Sequence, residues 1–298
     1  MPTMRAAVMH EYGDAVAVEE IARPTPAAGQ VLVRVRAASV NPVDWKQASG
    51  KVRFLFPMRF PGVPGYDVAG EVAEGEHAGL RVHARLLGRG GGAYAEYAVT
   101  DAWAPIPEGV EWGEAAGLPL AGMTALQGLR GVREGARVLV VGASGGVGHL
   151  AVQIARRMGA HVVGVCSGRN AALVGELGAH EVLDYTQPDP YRGQAPFDLV
   201  YDCVGSAPGD FLPMVSAAGT FASCMPRPSV FAWAARNPLC SQQVRAVMLK
   251  ANAADLRALD AMGLRVVIDS RYPLARVGEA WARSKSGRVV GKVVIDVA

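Results

Sequence analysis

Residues 137–148, RVLVVGASGGVG, constrain the fold of this chain more than any other stretch. Val138 to Val141 is an unbroken aliphatic run rich in β-branched residues, which predicts a parallel strand buried on both faces. It feeds directly into Gly142, Gly145, Gly146 and Gly148. From Val147 onward apolar residues recur at helical spacing, with Leu150, Ala151, Ile154, Ala155 and Met158 on one face. In a strand–turn–helix context, such glycines let the backbone approach a pyrophosphate, whose charge then rests on the N–H groups of the helix N-terminus. Ser144, Gly145, Gly146 and Val147 are the candidates to hold it. The segment HVVGVC (161–166) reads as the next strand of the same unit.

The tip of that second strand bears on which dinucleotide is bound. A site for NAD places Asp or Glu there, about 20 residues past the glycines, to accept from the ribose 2′-hydroxyl. Here the tip is Ser167-Gly168-Arg169-Asn170, and no carboxylate follows until Glu176. A hydroxyl and a guanidinium suit a 2′-phosphate. The expectation is NADPH, with a plain solvated loop cation as the alternative for Arg169.

A chain of 298 residues is long enough for two domains, each with its own core. Half of the residues are hydrophobic and 19% charged, as in an ordinary α/β enzyme. The net charge of +3 and the lack of any basic block argue against a nucleic-acid partner. Cys166, Cys203, Cys224 and Cys240 contain no C-x-x-C pair, which argues against a zinc ribbon or disulfide framework and fits a reducing compartment. No apolar run reaches membrane-spanning length, and Met1–Met9 lacks a signal-peptide core. The expected setting is cytoplasmic, with no membrane partner.

The first third alternates short strands with Pro and Gly turns. MRAAVMH (4–10), VLVRVRAAS (31–39), the end of FPGVPGYDVAGEV (60–72) and YAEYAV (94–99) read as strands, the last preceded by the glycine-rich GRGGGA (88–93). EAAGLPLAGMTALQGL (114–129) is helical in composition but interrupted by Pro119 and Gly122. Beyond it strands recur at 137–142, 161–166, 181–185, 197–205 and 219–224, most separated by helical stretches, the signature of a doubly wound parallel sheet. In the tail, a strand at 264–269, a helix near 274–285 and a strand at 291–297 either continue that sheet or return to the first domain.

Several segments together resemble the medium-chain dehydrogenase/reductase superfamily, in its zinc-free quinone oxidoreductase and alkenal (enoyl) reductase branch. They are SVNPVDWKQASG (39–50), PGYDVAGEV (64–72), PLAGMTALQGL (119–129), the glycine fingerprint and SGRVVGKVVIDV (286–297). The resemblance implies an α/β chain: a β-rich GroES-like catalytic domain over 1–118 and 264–298, and a Rossmann doubly wound domain over 119–263. Where zinc members carry a cysteine and a Gly-His-Glu segment, this chain has Asn41 and Tyr66-Asp67, and no cysteine precedes residue 166. A zinc site needs N or S donors in a tetrahedral set, so no metal is expected. His77 and His83 read as surface histidines.

The resemblance places Asn41 and Lys46 near the nicotinamide ribose or the substrate oxygen, with Asn41 serving only its turn, or Lys46 only the surface, as alternatives. It places Thr124 against the carboxamide, Tyr185 beside Ser167 and Arg169 at the 2′-phosphate, Val204 along the nicotinamide side and Lys292 toward the cofactor. A half-buried structural role is the alternative for Tyr185. Tyr66, Lys46 and Asp44 are candidate proton donors that the sequence does not rank; protonation from solvent is preferred. Without a metal, hydride transfer to a quinone or a conjugated C=C is expected, because such a substrate carries its own electron sink. The alternatives are an enoyl reductase acting on acyl thioesters and a non-catalytic NADPH-binding redox sensor. The segment QQVRAVMLKA (242–251) is where the family pairs edge strands, so a homodimer is expected.

Overall fold

The computed structural model describes residues 2–13, 15–54, 57–86, 91–225 and 227–297. The chain divides into two compact units: Met1–Leu120 with Ala251–Ala261 and Val266–Ala298, and Ala121–Lys250 with Met262–Arg265. This differs from the 119–263 assignment at residues 119–120, 251–261 and 264–265. Leu256 and Leu259 of the second of these segments are buried, and Asp260 accepts from His83 of the first unit at 3.0 Å.

Along the first unit come β1 (Thr3–Val8), β2 (Ala17–Ala22), β3 (Val31–Val40), α1 (Pro42–Ala48), β4 (Asp67–Val72), β5 (Arg81–Arg85), β6 (Tyr97–Thr100), β7 (Trp103–Pro105), α2 (Trp112–Gly117) and α3 (Pro119–Gly128). Helix α3 continues into the second unit. There follow β8 (Arg137–Val141), α4 (Gly148–Arg157), β9 (His161–Cys166), α5 (Ala171–Glu176), β10 (Glu181–Asp184), β11 (Phe197–Asp202), α6 (Pro208–Phe211), β12 (Val215–Ser223), α7 (Pro228–Ala234) and β13 (Gln243–Ala246). The tail supplies α8 (Ala253–Ala261), β14 (Ile268–Pro273), α9 (Val277–Lys285) and β15 (Lys292–Asp296).

In the first unit a sheet runs β14-β15-β3-β4-β5-β7, with β6 also paired to β3, and β1 and β2 form a separate antiparallel pair. Strand β3 pairs antiparallel with β15, β4 and β6, so the C-terminal strand returns to the centre of the N-terminal sheet. Val33, Val35, Ala37 and Ala38 are fully buried there. Val293, Val294 and Ile295 of β15 complete the core with Tyr94 and Trp281.

The second unit is a parallel sheet of order β10-β9-β8-β11-β12-β13. Counted from β8, that is 3-2-1-4-5-6, the dinucleotide-binding order, with its switch point between β8 and β11. Leu139, Val141, Val163, Val165, Phe197, Val200 and Phe221 form its core, as expected for strands covered on both faces.

Several boundaries differ from the sequence expectations. The interrupted helix at 114–129 is two helices broken at Leu118, because proline is tolerated in the first turn of α3 but not inside a helix. The strand expected at 264–269 begins only at Ile268. Upstream, the Arg265 backbone is held by the Gln153 amide instead, which donates to its carbonyl at 2.8 Å and accepts from its N–H at 2.9 Å. The strand expected at 94–99 starts at Tyr97, and that at 197–205 ends at Asp202. Part of the 88–93 glycine loop lies outside the described residues.

Candidate functional site

The glycine turn sits at the switch point of the second unit. Gly142 has φ of +80°, a backbone conformation that excludes most side chains. A Cβ on Gly148 would lie 2.0 Å from the Gly142 carbonyl oxygen, so the start of α4 packs on the turn with no room for a methyl group. No side chain caps α4, and although the His149 N–H donates to the Gly145 carbonyl at 3.0 Å, the other N–H groups of this helix start can face an anion. Ser144 is nearly buried and its Oγ accepts from Asn170 Nδ2 at 3.0 Å, tying the turn to the tip of β9. A pyridine dinucleotide therefore fits this turn, with Ser144, Gly145, Gly146 and Val147 positioned to hold its pyrophosphate.

At the neighbouring tip, Asp184 of β10 pairs with Cys166 of β9, and the Tyr185 N–H donates to the Cys166 carbonyl at 3.1 Å. Ser167, Arg169 and Tyr185 are thus brought to one edge. Tyr185 is 59% exposed, which excludes the half-buried structural role. The fold adds Asp184, a carboxylate the linear reading did not count. It is engaged by the N–H and hydroxyl of Thr186 at 3.0 and 2.8 Å. The backbone and side chain of Thr186 hold it below the ordinary carboxylate range.

The turn after β11 is fixed by another residue the sequence did not flag. The buried Asp202 carboxylate accepts from the N–H groups of Val204 (3.2 Å), Gly205 (3.1 Å) and Ser206 (3.0 Å) and from Ser223 Oγ (2.6 Å). Val204 is thereby held against Gly142, its Cγ1 2.5 Å from where a Gly142 Cβ would sit. Thr124 is nearly buried on α3, and its carbonyl accepts from the Tyr201 hydroxyl at 2.8 Å.

The first unit holds a buried polar cluster at the end of β3. Lys292 Nζ donates to Asn41 Oδ1 at 2.6 Å and to the Val40 carbonyl at 3.2 Å. Asn41 Nδ2 donates to Asp67 Oδ2 at 2.9 Å, which also accepts from Ser39 Oγ (3.3 Å) and the Leu120 N–H (3.2 Å). Asp44 Oδ2 accepts from the Asn41 N–H at 2.7 Å and the Tyr94 hydroxyl at 2.6 Å. Burial drives the Asp44 carboxyl up to about 7 and raises that of Asp67. It lowers Lys292, against the pull of both carboxylates. The other oxygens of Asp44 and Asp67 have no hydrogen-bond partner among the described residues.

Two side chains are more enclosed than the sequence suggests. Lys292 is 3% exposed and hydrogen-bonded to Asn41 and the β3 backbone. His83 is not a surface histidine, being 1% exposed between the Ala115 carbonyl and Asp260. Asn41 is buried as the hub of the cluster, and Tyr66, also buried, donates to Gln47 Oε1 at 2.8 Å. Lys46 is half-buried on α1, its ammonium 5.5 Å from the Trp45 ring. The local signal for Asp44 was readable: Asn-Pro-x-Asp puts a carboxylate three residues past a helix start, where it can accept the Asn41 N–H. Tyr94 carried no such signal.

A sheet unit whose C-terminal strand returns beside its N-terminal one, joined to a 3-2-1-4-5-6 sheet with a glycine turn, defines a class of pyridine-nucleotide-dependent oxidoreductases. Comparison with known proteins agrees. The alcohol dehydrogenase GroES-like domain family matches residues 27–108, and the zinc-binding dehydrogenase family matches residues 177–295. A chloroplast envelope quinone oxidoreductase homolog of Arabidopsis thaliana is 36% identical, covering 98% of each chain. A chloroplastic NADPH-dependent alkenal/one oxidoreductase of the same plant is 35% identical over 68% of this chain and 58% of its own. The structure of the quinone oxidoreductase from Coxiella burnetii superposes with a TM-score of 0.89 at 28% identity, covering both chains completely. The chain belongs to the medium-chain dehydrogenase/reductase superfamily, among its quinone oxidoreductases.

The second family description raises zinc. The residues at the slot do not fit it. Asn41 and Tyr66 are poor zinc donors, and Asp67 is already engaged by Asn41, Ser39 and the Leu120 N–H. The Lys292 ammonium occupies the other side of Asn41 at 2.6 Å, so a divalent ion would meet a buried cation.

Proposed function

We propose that this chain is a zinc-independent, NADPH-dependent reductase of quinones or of the C=C bond of α,β-unsaturated carbonyls. The observation that carries the reading is Lys292 Nζ hydrogen-bonded to Asn41 beside Asp67, a lysine donor where a metal would otherwise polarise a carbonyl. Alcohol oxidation through such a slot lacks its Lewis acid, whereas a quinone or enone brings its own electron sink. Bound NADPH supplies the hydride. The glycine turn and the N-terminus of α4 hold its pyrophosphate, and Ser167, Arg169 and Tyr185 take the 2′-phosphate. Lys46, the least buried of the three catalytic candidates, is the one that approaches a substrate oxygen. Asn41 and Tyr66 act from within the wall. The proton comes from solvent.

A cytoplasmic setting and a homodimer joined along β13 are part of the same proposal. They are supported by four free cysteines and by the edge position of β13 in its sheet.

The test is oxidation of NADPH and NADH against a benzoquinone, an alkyl enone, an enal and a crotonyl thioester, with and without a chelator. The expected result is NADPH consumption with the quinone or enone, unchanged by chelator. Chelator-sensitive alcohol oxidation would overturn the zinc-free reading. Turnover confined to the thioester would move the assignment to an acyl-thioester enoyl reductase. NADPH binding without any turnover would favour a sensor.

A further inference from the structure

Three of the four cysteines fall in one row at the carboxyl edge of the parallel sheet. The last paired positions are Val141 with Val165, Val141 with Asp202, and Asp202 with Ser223. One step further, the Cys203 N–H donates to the Val141 carbonyl and the Cys224 N–H to the Asp202 carbonyl, each at 3.0 Å. The ladder therefore continues, and the row reads Cys166, Gly142, Cys203, Cys224 across β9, β8, β11 and β12. Residues level with one another in a parallel sheet point to the same face. Gly142 has no side chain and separates Cys166 from the other two. Cys203 and Cys224 are therefore immediate neighbours on paired strands, one step past the Asp202–Ser223 pair.

Adjacent strands lie about 4.8 Å apart, within the range of Cα separations of about 4.4–6.8 Å that a disulfide spans. Both residues keep some exposure, although the Cys203 thiol itself is turned inward. Their location matters more than their proximity. Cys203 is level with Gly142 at the switch point of the sheet, its Cβ 3.7 Å from where a Gly142 Cβ would be, and the next residue is the Val204 that packs over the turn. Any adjustment of Cys203 on closing a bridge is therefore passed through Val204 to the turn on which the pyrophosphate is read to lie.

We propose that Cys203 and Cys224 are an oxidation site, closing to a disulfide under hydroperoxide and so weakening dinucleotide binding. In the first step Cys224 thiol attacks the peroxide, giving the sulfenic acid and water (or the alcohol, from an organic hydroperoxide). In the second the Cys203 thiol attacks that sulfur, forming the S–S bond and releasing a second water. Two thiols lose two electrons and two protons, and one peroxide bond is reduced. Burial pushes the Cys203 thiol well above its ordinary range, which disfavours it as the first thiol to attack. Such a bridge is open to reduction by dithiols, so the site reports oxidant in a reversible way. The effect on binding rests on reading the glycine turn as the dinucleotide site; bridge formation does not.

The test treats the purified, reduced chain with hydrogen peroxide, maps disulfides by peptide mass and measures NADPH affinity before and after. The expected result is a Cys203–Cys224 bridge, at least tenfold weaker NADPH binding, and recovery of both with dithiothreitol. Cys224→Ser, with Cys224→Ala as a second variant should the first not fold, is expected to keep the same affinity with and without peroxide. Replacing the exposed Cys240 by Ser is expected to change nothing. Over-oxidation of Cys224 without a bridge, or a bridge with affinity unchanged within twofold, overturns the proposal. If the reduced protein binds no NADPH, the dinucleotide reading fails and takes the binding effect with it. The mass map then decides the oxidation site by itself.

Discussion

Asp44 shows how much of the chemistry at single residues depends on burial. Its Oδ2 accepts from Asn41 and Tyr94, yet desolvation outweighs both bonds and lifts the carboxyl to about 7. A carboxyl whose folded pKa is raised costs stability as pH climbs from its ordinary value toward the folded one, because the unfolded chain releases the proton first. The groups facing it are Tyr94, Asp67 and Lys292. The melting-temperature gap between Asp44→Asn and the parent is therefore expected to widen in favour of the variant from pH 5 to pH 8. A constant gap in calorimetry would mean that the carboxyl is ionised throughout. At the opposite end of the burial range, Arg169 is exposed, and its contribution is to charge recognition. Arg169→Ala is expected to weaken NADPH about tenfold, the loss of one charge-assisted contact worth roughly 1.4 kcal/mol. NADH affinity should stay level. Equal loss for both would show that Arg169 supports the loop and does not read the 2′-phosphate.

Elements were more legible than the contacts between them. The parallel strands of the second unit announced themselves as short aliphatic runs bounded by turn residues, and β8, β9 and β10 lie where the sequence placed them, to within a residue. The ends were less legible, because they depend on bonds from elsewhere. Asp202 terminates β11 by capturing three successive N–H groups, and the Gln153 amide keeps Arg265 out of the strand that begins at Ile268. The turn between β8 and α4 gives the sharpest element-level prediction. Gly148→Ala sets a methyl 2.0 Å from the Gly142 oxygen, against rigid backbone, and overpacking of that kind costs about 1–3 kcal/mol. Denaturant unfolding should show that loss, and NADPH binding should weaken as the helix start is pushed off the turn. Gly175→Ala in α5 is the control. Nothing lies within 4 Å of its Cβ, so the usual helix preference for alanine should give a gain of about 0.5–1 kcal/mol.

At the scale of the whole molecule, β13 is the edge strand of the six-stranded sheet, with the Asn237 amide held on the N–H and carbonyl of Val244 and with Met248 and Leu239 exposed nearby in sequence. Exposed edges of this kind are commonly covered by pairing with another strand. Light scattering on a sizing column is expected to give twice the 31.2 kDa of one chain. A monomer in the parent chain would remove the dimer from the proposal. By itself, the sequence determined the nucleotide unit, because strand, glycine turn and helix are local patterns whose physics is complete within a dozen residues. It also determined which ligand types were missing from the zinc slot, since that is a matter of residue identity. Only the tertiary structure decided where Lys292 goes, that His83 is buried against Asp260, that Tyr94 serves Asp44 and that Cys203 faces Cys224. Each of these depends on strand register or on a side chain reaching across tens to hundreds of residues, and no local pattern encodes the desolvation that then sets its chemistry.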